Sequence, residues 1–279
     1  MSSPSSPVTR TREKVAVEYG EEKWPAMLRL IELERDAEPD AGLPRVLGRV
    51  ARSQWKRDDP LATRPSTVDG AQVPLTLSAS YGAIQGLLLE VVESACTDDT
   101  GLIVELGSGW GWHILTLWAR GGQTAPAYVA AEYTAPGRTA SERLAALDER
   151  LDFQAVAFDY HEPAFPDLEP VEHAVVFTAH SIEQIPHVTP ALFEAIRGLG
   201  RRVTCLHFEP VGWQVGAEHD GRGTSQAYAE QHDYTRDLIP MLRAEEEAGR
   251  LTIDAVVPDV LGINPRNSTT LVQWHAEAP

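Results

Sequence analysis

A glycine-rich turn in the middle of the chain has the residue types needed to bind a small ligand. The apolar run 102–106 contains Glu105 near its end. It leads into five consecutive residues: Gly107, Ser108, Gly109, Trp110 and Gly111. Glycines let the backbone adopt positive φ angles and approach a ligand closely, and such loops cradle a pyrophosphate in dinucleotide enzymes. Glu105 repels phosphate, so we predict a ligand that has an amino group and no phosphate.

Two further carboxylates follow the next two apolar runs. Glu132 comes directly after the run 128–131, and Asp159 comes directly after the run 153–158. A carboxylate in the position of Glu132 can accept two hydrogen bonds from ribose hydroxyls. Tyr160, next to Asp159, can add apolar contact to a bound ring. Three acids at three successive strand ends point to a ligand site more strongly than any one of them.

Titratable side chains also follow the fourth and fifth apolar runs. His180 and Glu183 follow the fourth, and His207 and Glu209 lie at the end of the fifth. Because ligands of doubly wound sheets bind beyond the carboxyl ends of the strands, we predict that these four side chains supply the chemistry. His180 is the candidate general base, since the ordinary pKa of imidazole lies near neutral pH. Glu183 could orient His180 or bind a group of the substrate. A structural or cofactor-contacting role for His180 stays open.

The strand spacing predicts that His207 and Glu209 share one face of an extended strand, from which they could converge with His180 and Glu183. Two histidines and two glutamates are in principle able to bind a divalent cation.

The elements that must position these residues differ between the two parts of the chain. In the first part, apolar spacing predicts helices over 12–35, 43–56 and 78–95, and four Pro and Gly residues predict an irregular connection over 58–74. In the second part, seven apolar runs predict strands: 102–106, 128–131, 153–158, 174–177, 203–208, 253–257 and 270–274. The first six are separated by segments long enough for helices, which favours a parallel sheet buried on both faces. The last two are joined too closely for a helix, which predicts an antiparallel hairpin at the sheet edge.

Seven strands with an antiparallel last pair, together with Glu-x-Gly-x-Gly-x-Gly at 105–111, resemble the class I S-adenosylmethionine-dependent methyltransferase family. The resemblance covers residues 78–274, about two thirds of the chain. It implies an α/β fold with a seven-stranded, mostly parallel sheet, helices on both faces, an antiparallel last strand and an N-terminal helical extension. The expected division is a disordered tail at 1–9, a helical cap or lid at 10–77 and a cofactor-binding methyltransferase domain at 78–279.

The resemblance also implies a cofactor, S-adenosyl-L-methionine, and a product, S-adenosyl-L-homocysteine. Glu105 is then expected to face the methionine end, Glu132 the ribose and Asp159 the adenine amino group. The predicted cofactor-binding residues are Glu105, Gly107, Ser108, Gly109, Trp110, Gly111, Glu132, Asp159 and Tyr160. Some sugar and catechol O-methyltransferases use a metal, but the Asp-centred pattern of the catechol type is absent after the fourth strand. We therefore predict no metal.

Composition limits the partners and the compartment. A formal net charge of -17 disfavours nucleic acid. The basic group Arg45, Arg49, Arg52, Lys56 and Arg57 is interpreted as a solvated helix face. Apolar runs fall short of the roughly 20 residues that a membrane helix needs, and residues 1–7 do not resemble a secretory signal. Two distant cysteines make no disulfide framework, so a cytoplasmic location is expected.

These observations predict methyl transfer to a small-molecule acceptor, with a hydroxyl favoured over an amine, in specialised or sugar metabolism. A homodimer is the assembly left open. Two other hypotheses remain. A nicotinamide-dependent oxidoreductase is disfavoured by Glu105 and by the predicted hairpin, and a non-catalytic cofactor-binding protein of the same fold is the third reading.

Overall fold

Helices form the N-terminal part of the fold, as the apolar spacing predicts. The structure is a computed structural model that describes residues 9–55, 59–122, 126–215 and 222–277. Helix α1 (Arg12–Val17) passes through a π-helical turn (Glu18–Lys23) into α2 (Trp24–Ala37), and α3 (Leu43–Trp55) follows. Met27 and Ile31 lie one helical turn apart and are both buried, so α2 packs one face on the core. The predicted tail at 1–9 lies almost wholly outside the described residues.

The predicted irregular connection is wrong, because this segment forms a β-hairpin. Strands β1 (Thr63–Val68) and β2 (Ala71–Thr76) pair antiparallel across Asp69 and Gly70, which both have positive φ angles, 49° and 72°. Asp-Gly is a favoured sequence for a two-residue hairpin turn. The prolines that suggested a loop sit opposite each other, Pro65 against Pro74, and β2 is an edge strand, where proline is tolerated.

In the described part of the chain the sheet has nine strands rather than the predicted seven, in the order β2-β1-β8-β9-β7-β6-β3-β4-β5. The further strands are β3 (Thr100–Leu106), β4 (Ala127–Glu132), β5 (Phe153–Ala157), β6 (Val171–Ala179), β7 (Gly200–Glu209), β8 (Thr252–Gly262) and β9 (Thr269–Glu277). All seven predicted strands are therefore present. Five neighbouring strands, β5-β4-β3-β6-β7, are mutually parallel. They bring the carboxyl ends of β3 to β7 to one edge of the sheet.

The predicted hairpin of the last two strands is present, but it does not form the edge of the sheet. Strand β9 lies between β7 and β8 and is antiparallel to both. Strand β8 in turn pairs with β1 through Thr67 against Gly262 and Val68 against Leu261. The N-terminal segment thus extends the sheet.

Helices cover both faces of the sheet. The remaining α-helices are α4 (Leu77–Ala95), α5 (Trp112–Ala119), α6 (Ala135–Ala145), α7 (Pro190–Arg197), α8 (Arg222–His232) and α9 (Leu238–Glu247). One core cluster joins Ile31 and Leu89 of the α2–α6 side to Phe177 of β6, and a second joins Phe193 of α7 to Trp274 of β9. Burial on both faces explains why the central strands are continuous apolar runs. Within the described ranges, no helix has the length and apolar character to cross a membrane.

Candidate active site

A cavity of about 570 Å³ lies at the carboxyl ends of β3, β4, β5 and β6. Its volume is in the range of small-molecule sites. Eight of the nine predicted cofactor residues line it: Glu105, Gly107, Ser108, Gly109, Trp110, Glu132, Asp159 and Tyr160. The ninth, Gly111, is the N-cap of α5. Parallel pairing therefore gathers residues that are up to 55 positions apart in the chain, from Glu105 to Tyr160.

The glycine loop has a backbone that other residues rarely adopt. Gly107, Gly109 and Gly111 have φ angles of 65°, 57° and 81°. A Cβ on Gly107 would lie 2.5 Å from Cβ of Ser181, and one on Gly109 would lie 2.7 Å from the ring of Trp24. Both positions require glycine because they combine a left-handed backbone with a close neighbour.

Glu105 is buried beneath this loop and holds the start of α5. Its Oε1 lies 2.8 Å from Nδ1 of His113, and its Oε2 accepts a hydrogen bond of 3.1 Å from the backbone N–H of Ile114. Because a carboxylate only accepts, Nδ1 of His113 donates, which leaves Nε2 of that ring as an acceptor. Our sequence reasoning missed His113. Its position in the first turn of the helix, eight residues after Glu105, was the available signal.

Glu132 ties the glycine loop to the end of β4. Its Oε2 accepts a hydrogen bond of 3.0 Å from the N–H of Gly109, and its Oε1 accepts bonds from the N–H and hydroxyl of Thr134 at 2.9 and 2.7 Å. The carboxylate is thus held rigidly in the cavity wall. Each carboxylate oxygen has two lone pairs, so Oε2 still has capacity for a ligand donor.

Asp159 and Tyr160 form the far wall of the cavity. Asp159 makes an ion pair with Arg12, which reaches in from α1. The hydroxyl of Tyr160 lies 2.8 Å from Oγ of Ser181, and burial raises the pKa of Tyr160. Tyr160 therefore stays a neutral phenol that joins the end of β5 to the loop after β6.

The N-terminal segment covers the same cavity. Arg12, Val15, Tyr19, Lys23 and Trp24 line it, all from α1, the π-helical turn and the first residue of α2. We did not predict these contacts residue by residue, because the packing joins positions more than 80 residues apart in the chain. They place the segment predicted as a cap directly over the glycine loop.

His180 lies at the carboxyl end of β6 and lines the cavity. Its backbone is left-handed, with φ of 50°, an uncommon conformation that for this residue marks a locally constrained site. Its Nδ1 lies 3.2 Å from Oε2 of Glu183 and its Nε2 lies 2.8 Å from the hydroxyl of Thr269. Burial lowers the pKa of His180, but the hydrogen bond and charge of Glu183 and the charge of Glu209 outweigh it, so the pKa is raised.

Glu183 and Glu209 lie behind His180 and not in the cavity wall. The buried Glu183 contacts His180 directly. Glu209 is fully buried and accepts backbone hydrogen bonds from Ser181, Ile182 and Glu183 at 3.1, 3.2 and 3.3 Å. Burial raises the pKa of Glu209 to about 7. Its oxygens hold the loop that presents His180, and the catalytic role expected for Glu209 stays a prediction.

The prediction that His207 converges with His180 is wrong. His207 is fully buried, its Nε2 accepts a 3.0 Å hydrogen bond from the indole N–H of Trp274, and its Nδ1 lies 3.1 Å from the hydroxyl of Thr178. Burial lowers the pKa of His207 to about 3, so the ring is neutral. The indole of Trp274, on the neighbouring strand β9, packs beside His207 in the core.

Two other features bear on the predicted partners. Among the described residues, no group of three or more His, Cys, Asp or Glu side chains is arranged to hold a metal ion. In the basic group of the first third, Arg45 pairs with Glu38, and Arg49 pairs with Glu34 and Glu38. Those charges are partly neutralised, which fits a solvated helix face. Lys56 and Arg57 lie outside the described residues.

The comparisons with known proteins bear on the fold of this chain alone. No protein-family model matches the chain, and no curated protein matches it by sequence. Magnesium protoporphyrin IX methyltransferase from Synechocystis PCC 6803, with bound SAH, is similar over 81% of this chain and 94% of that chain, with 13% identity and a TM-score of 0.49.

Two further solved structures are similar to a comparable extent. Geranyl diphosphate C-methyltransferase from Streptomyces coelicolor A3(2), in complex with Mg²⁺, geranyl diphosphate and S-adenosyl-L-homocysteine, matches over 72% of this chain and 79% of that chain, with 14% identity and a TM-score of 0.46. Ribosomal protein L11 methylase from Lactobacillus delbrueckii subsp. bulgaricus matches over 70% and 79%, with 13% identity and a TM-score of 0.41. Similarity at this level transfers no site residue and no acceptor to this chain.

Proposed function

We propose that this protein is an S-adenosylmethionine-dependent methyltransferase with a small-molecule acceptor. The observation that supports it most is the cavity in which Glu105, Glu132 and Asp159, from the ends of three successive strands, meet the glycine loop. Two carboxylates and a backbone turn suit a ligand that has an amino group and a ribose. A third carboxylate beside Tyr160 suits an amino-substituted ring.

The cavity wall also contains buried polar atoms that a ligand could pair with. Oγ of Ser108 and Nε1 of Trp24 are both buried, and among the described residues neither has a hydrogen-bond partner. Both residues line the cavity. Buried polar groups without partners are uncommon in folded proteins, so these atoms fit a site that a polar molecule completes. Glu105 and Glu132 would hold the two ends of the methionine-ribose part, and Asp159 the adenine.

When bound, S-adenosylmethionine supplies an electrophilic methyl group on a sulfonium. The protein must then position the acceptor and take its proton. We assign the proton to Nε2 of His180, where the acceptor hydroxyl would replace the hydroxyl of Thr269. Glu183 favours the imidazolium that results, in the way the acid of a catalytic triad does.

This arrangement favours a hydroxyl acceptor over an amine. A hydroxyl is a poor nucleophile until its proton is removed, whereas a neutral amine already has a reactive lone pair. A histidine paired with a carboxylate is the group that a hydroxyl needs. The assignment to specialised or sugar metabolism rests on the sequence resemblance.

Thermal melting with added ligands tests the cofactor. We expect S-adenosylhomocysteine at 100 times its Kd to stabilise the protein by about 2.7 kcal/mol, and NAD to leave the melting temperature unchanged. Stabilisation by NAD alone would favour the nicotinamide-dependent oxidoreductase instead. The variant Asp159→Asn keeps the shape of the side chain and should bind S-adenosylhomocysteine more weakly, while Asp254→Asn, on the exposed face of β8, serves as the matched control.

A further inference from the structure

A second cavity of about 550 Å³ adjoins the first. Five residues line both cavities: Tyr81, Trp112, His113, Ala179 and His180. The rest of its wall comes from α3, α4, α5, the end of β7 and the connection between β8 and β9. The two cavities therefore meet at the two histidines that lie beside carboxylates.

Two residues of α4 that line this cavity are glycines, although close packing does not require glycine at either position. Gly82 and Gly86 are one helical turn apart and both line the cavity. A Cβ added to either would meet no described atom within 4 Å. Glycine is, after proline, the poorest helix former, so two glycines in the interior of a 19-residue helix need an explanation. Space kept free beside a cavity, rather than contact with the protein, is the explanation that the structure offers.

The side-chain amide of Gln85, which lies between these two glycines in the chain, offers a hydrogen-bond donor. Oε1 of Gln85 accepts a 2.9 Å hydrogen bond from the indole N–H of Trp112. Because an indole only donates, this bond fixes which end of the amide is the nitrogen. That nitrogen, Nε2, is buried and has no hydrogen-bond partner among the described residues. A ligand oxygen, as a carbonyl or carboxylate, would satisfy it.

The charged residues that line the second cavity also favour a ligand with an acceptor oxygen. Of the described residues that line the second cavity, none is Asp, Glu or Lys, whereas Arg120 lies exposed at the end of α5. This is unusual for a chain with 41 acidic and 24 basic residues. About half of the other lining side chains are apolar, among them Ile84, Leu88 and Phe208. An anionic or neutral apolar molecule fits this wall better than a cation does.

We infer that the second cavity binds the methyl acceptor, and that the acceptor is a largely apolar hydroxy compound with a carboxylate or carbonyl oxygen. The oxygen pairs with Gln85, the apolar body lies against Gly82 and Gly86, and the hydroxyl meets His180. This inference rests on the proposed function, since it assigns the second substrate of the same site.

Direct binding tests the inference with 3-hydroxy-2-naphthoate, which has an apolar ring system, a carboxylate and a hydroxyl. Its fluorescence is titrated with protein saturated with S-adenosylhomocysteine. We expect it to bind at least tenfold more tightly than 1-(aminomethyl)-2-naphthol, which has a cation instead of the carboxylate. Equal or tighter binding of the cationic compound would overturn the inference, and so would the absence of hydroxynaphthoate binding.

A leucine at position 86 tests the location. Gly86→Leu should weaken hydroxynaphthoate binding at least tenfold and change S-adenosylhomocysteine affinity less than twofold. Gly48→Ala is the matched control, because Gly48 is also inside a helix, lines neither cavity and leaves ordinary contact distance for a Cβ. Unchanged hydroxynaphthoate binding in Gly86→Leu would refute the location. If Gly86→Leu does not fold, Gly86→Ala replaces it. We expect Gly86→Ala to weaken hydroxynaphthoate binding at least threefold, and unchanged binding would contradict the location.

Gln85→Met tests the polar contact. It should weaken hydroxynaphthoate more than 2-naphthol, which lacks the carboxylate, and equal weakening of both would remove Gln85 from the proposal. Calorimetry with S-adenosylhomocysteine alone separates the two levels. Loss of that binding in the wild type contradicts the proposed function, whereas intact binding with a wrong acceptor profile contradicts only this inference.

Discussion

His180 is held between the loop after β6 and strand β9 by its two ring nitrogens: Nδ1 lies 3.2 Å from Oε2 of Glu183, and Nε2 lies 2.8 Å from Oγ1 of Thr269. Glu183 follows β6 in the same loop, and Thr269 begins β9. Since the carboxylate can only accept, Nδ1 carries the proton and Nε2 is the basic nitrogen. The ring is therefore fixed in one tautomer with its lone pair directed away from Glu183.

We predict that His180→Gln lowers kcat by about 10²- to 10⁴-fold, because a positioned general base contributes that much. S-adenosylhomocysteine affinity should change less than threefold, which separates loss of the base from loss of the site. The measurements are steady-state methyl transfer with an identified acceptor and calorimetry.

His113→Gln is the matched variant, because His113 lines the same boundary and is also paired with a carboxylate. We expect its kcat to fall less than tenfold. If His113→Gln abolished turnover and His180→Gln did not, the base would have to be reassigned to His113. If neither variant reduced turnover, the catalytic assignment would be lost and a non-catalytic role for these residues would gain support.

The raised pKa of His180 predicts a pH dependence. A general base must be neutral, so kcat should fall as the pH drops through the pKa of His180, with a midpoint above the ordinary value of 6.5. Glu183→Gln removes the hydrogen bond and charge that raise this pKa, whereas burial, which lowers it, remains. The midpoint in log kcat against pH should therefore move to lower pH in Glu183→Gln. A midpoint that stays or rises would argue against His180 as the titrating group.

The contact of Gly109 with Trp24 predicts a steric coupling between the glycine loop and the N-terminal segment. Gly109→Ala adds a Cβ that would lie 2.7 Å from the Trp24 ring, at a φ of 57°. We expect at least tenfold weaker S-adenosylhomocysteine binding and an unfolding free energy lower by about 2 kcal/mol.

Two comparisons separate the causes of that loss. Gly121→Ala has a positive φ of 105° but no atom within 4 Å of the new Cβ, so it measures backbone strain alone. In a Trp24→Ala background, Gly109→Ala should cost only such strain, about 1 kcal/mol. Simple additivity of the two substitutions in a double-mutant cycle would show that no clash exists.

The buried neutral His207 predicts acid sensitivity. Its pKa is about 3 in the folded protein and near 6.5 when unfolded, so the unfolded chain takes up a proton first as the pH falls. The contribution of His207 to the free energy of unfolding is fully present above about pH 6.5 and is lost as the pH falls from 6.5 to about 3. From pH 7 to pH 5 the loss is about 2 kcal/mol. Urea unfolding should show His207→Gln losing that much less than the wild type over the same interval, and equal losses would contradict the assignment.

Local patterns were sufficient for much of the fold. Each of the seven predicted runs is a strand, and central strands such as β3 and β6 are apolar along their length because both of their faces are buried. The carboxylates at 105, 132 and 159 could also be assigned to one edge, because parallel strands that alternate with helices end on the same side. The hairpin at residues 63–76 was missed although Asp69-Gly70 signalled its turn, since the flanking prolines were given more weight.

Long-range packing decided the rest. Alternation along β7 correctly put His207 and Glu209 on one face, but alternation does not say what covers that face, and here Trp274 of β9 covers His207. In the same way, the sequence suggested a cap without showing that Trp24 meets Gly109, or that Gly82 and Gly86 border an open cavity. Periodicity shows on which face of its own helix or strand a residue lies, whereas a site is formed by elements that are distant in the chain. The cofactor and a small hydroxyl acceptor could therefore be argued from the sequence, and the cavity proposed for that acceptor only from the folded protein.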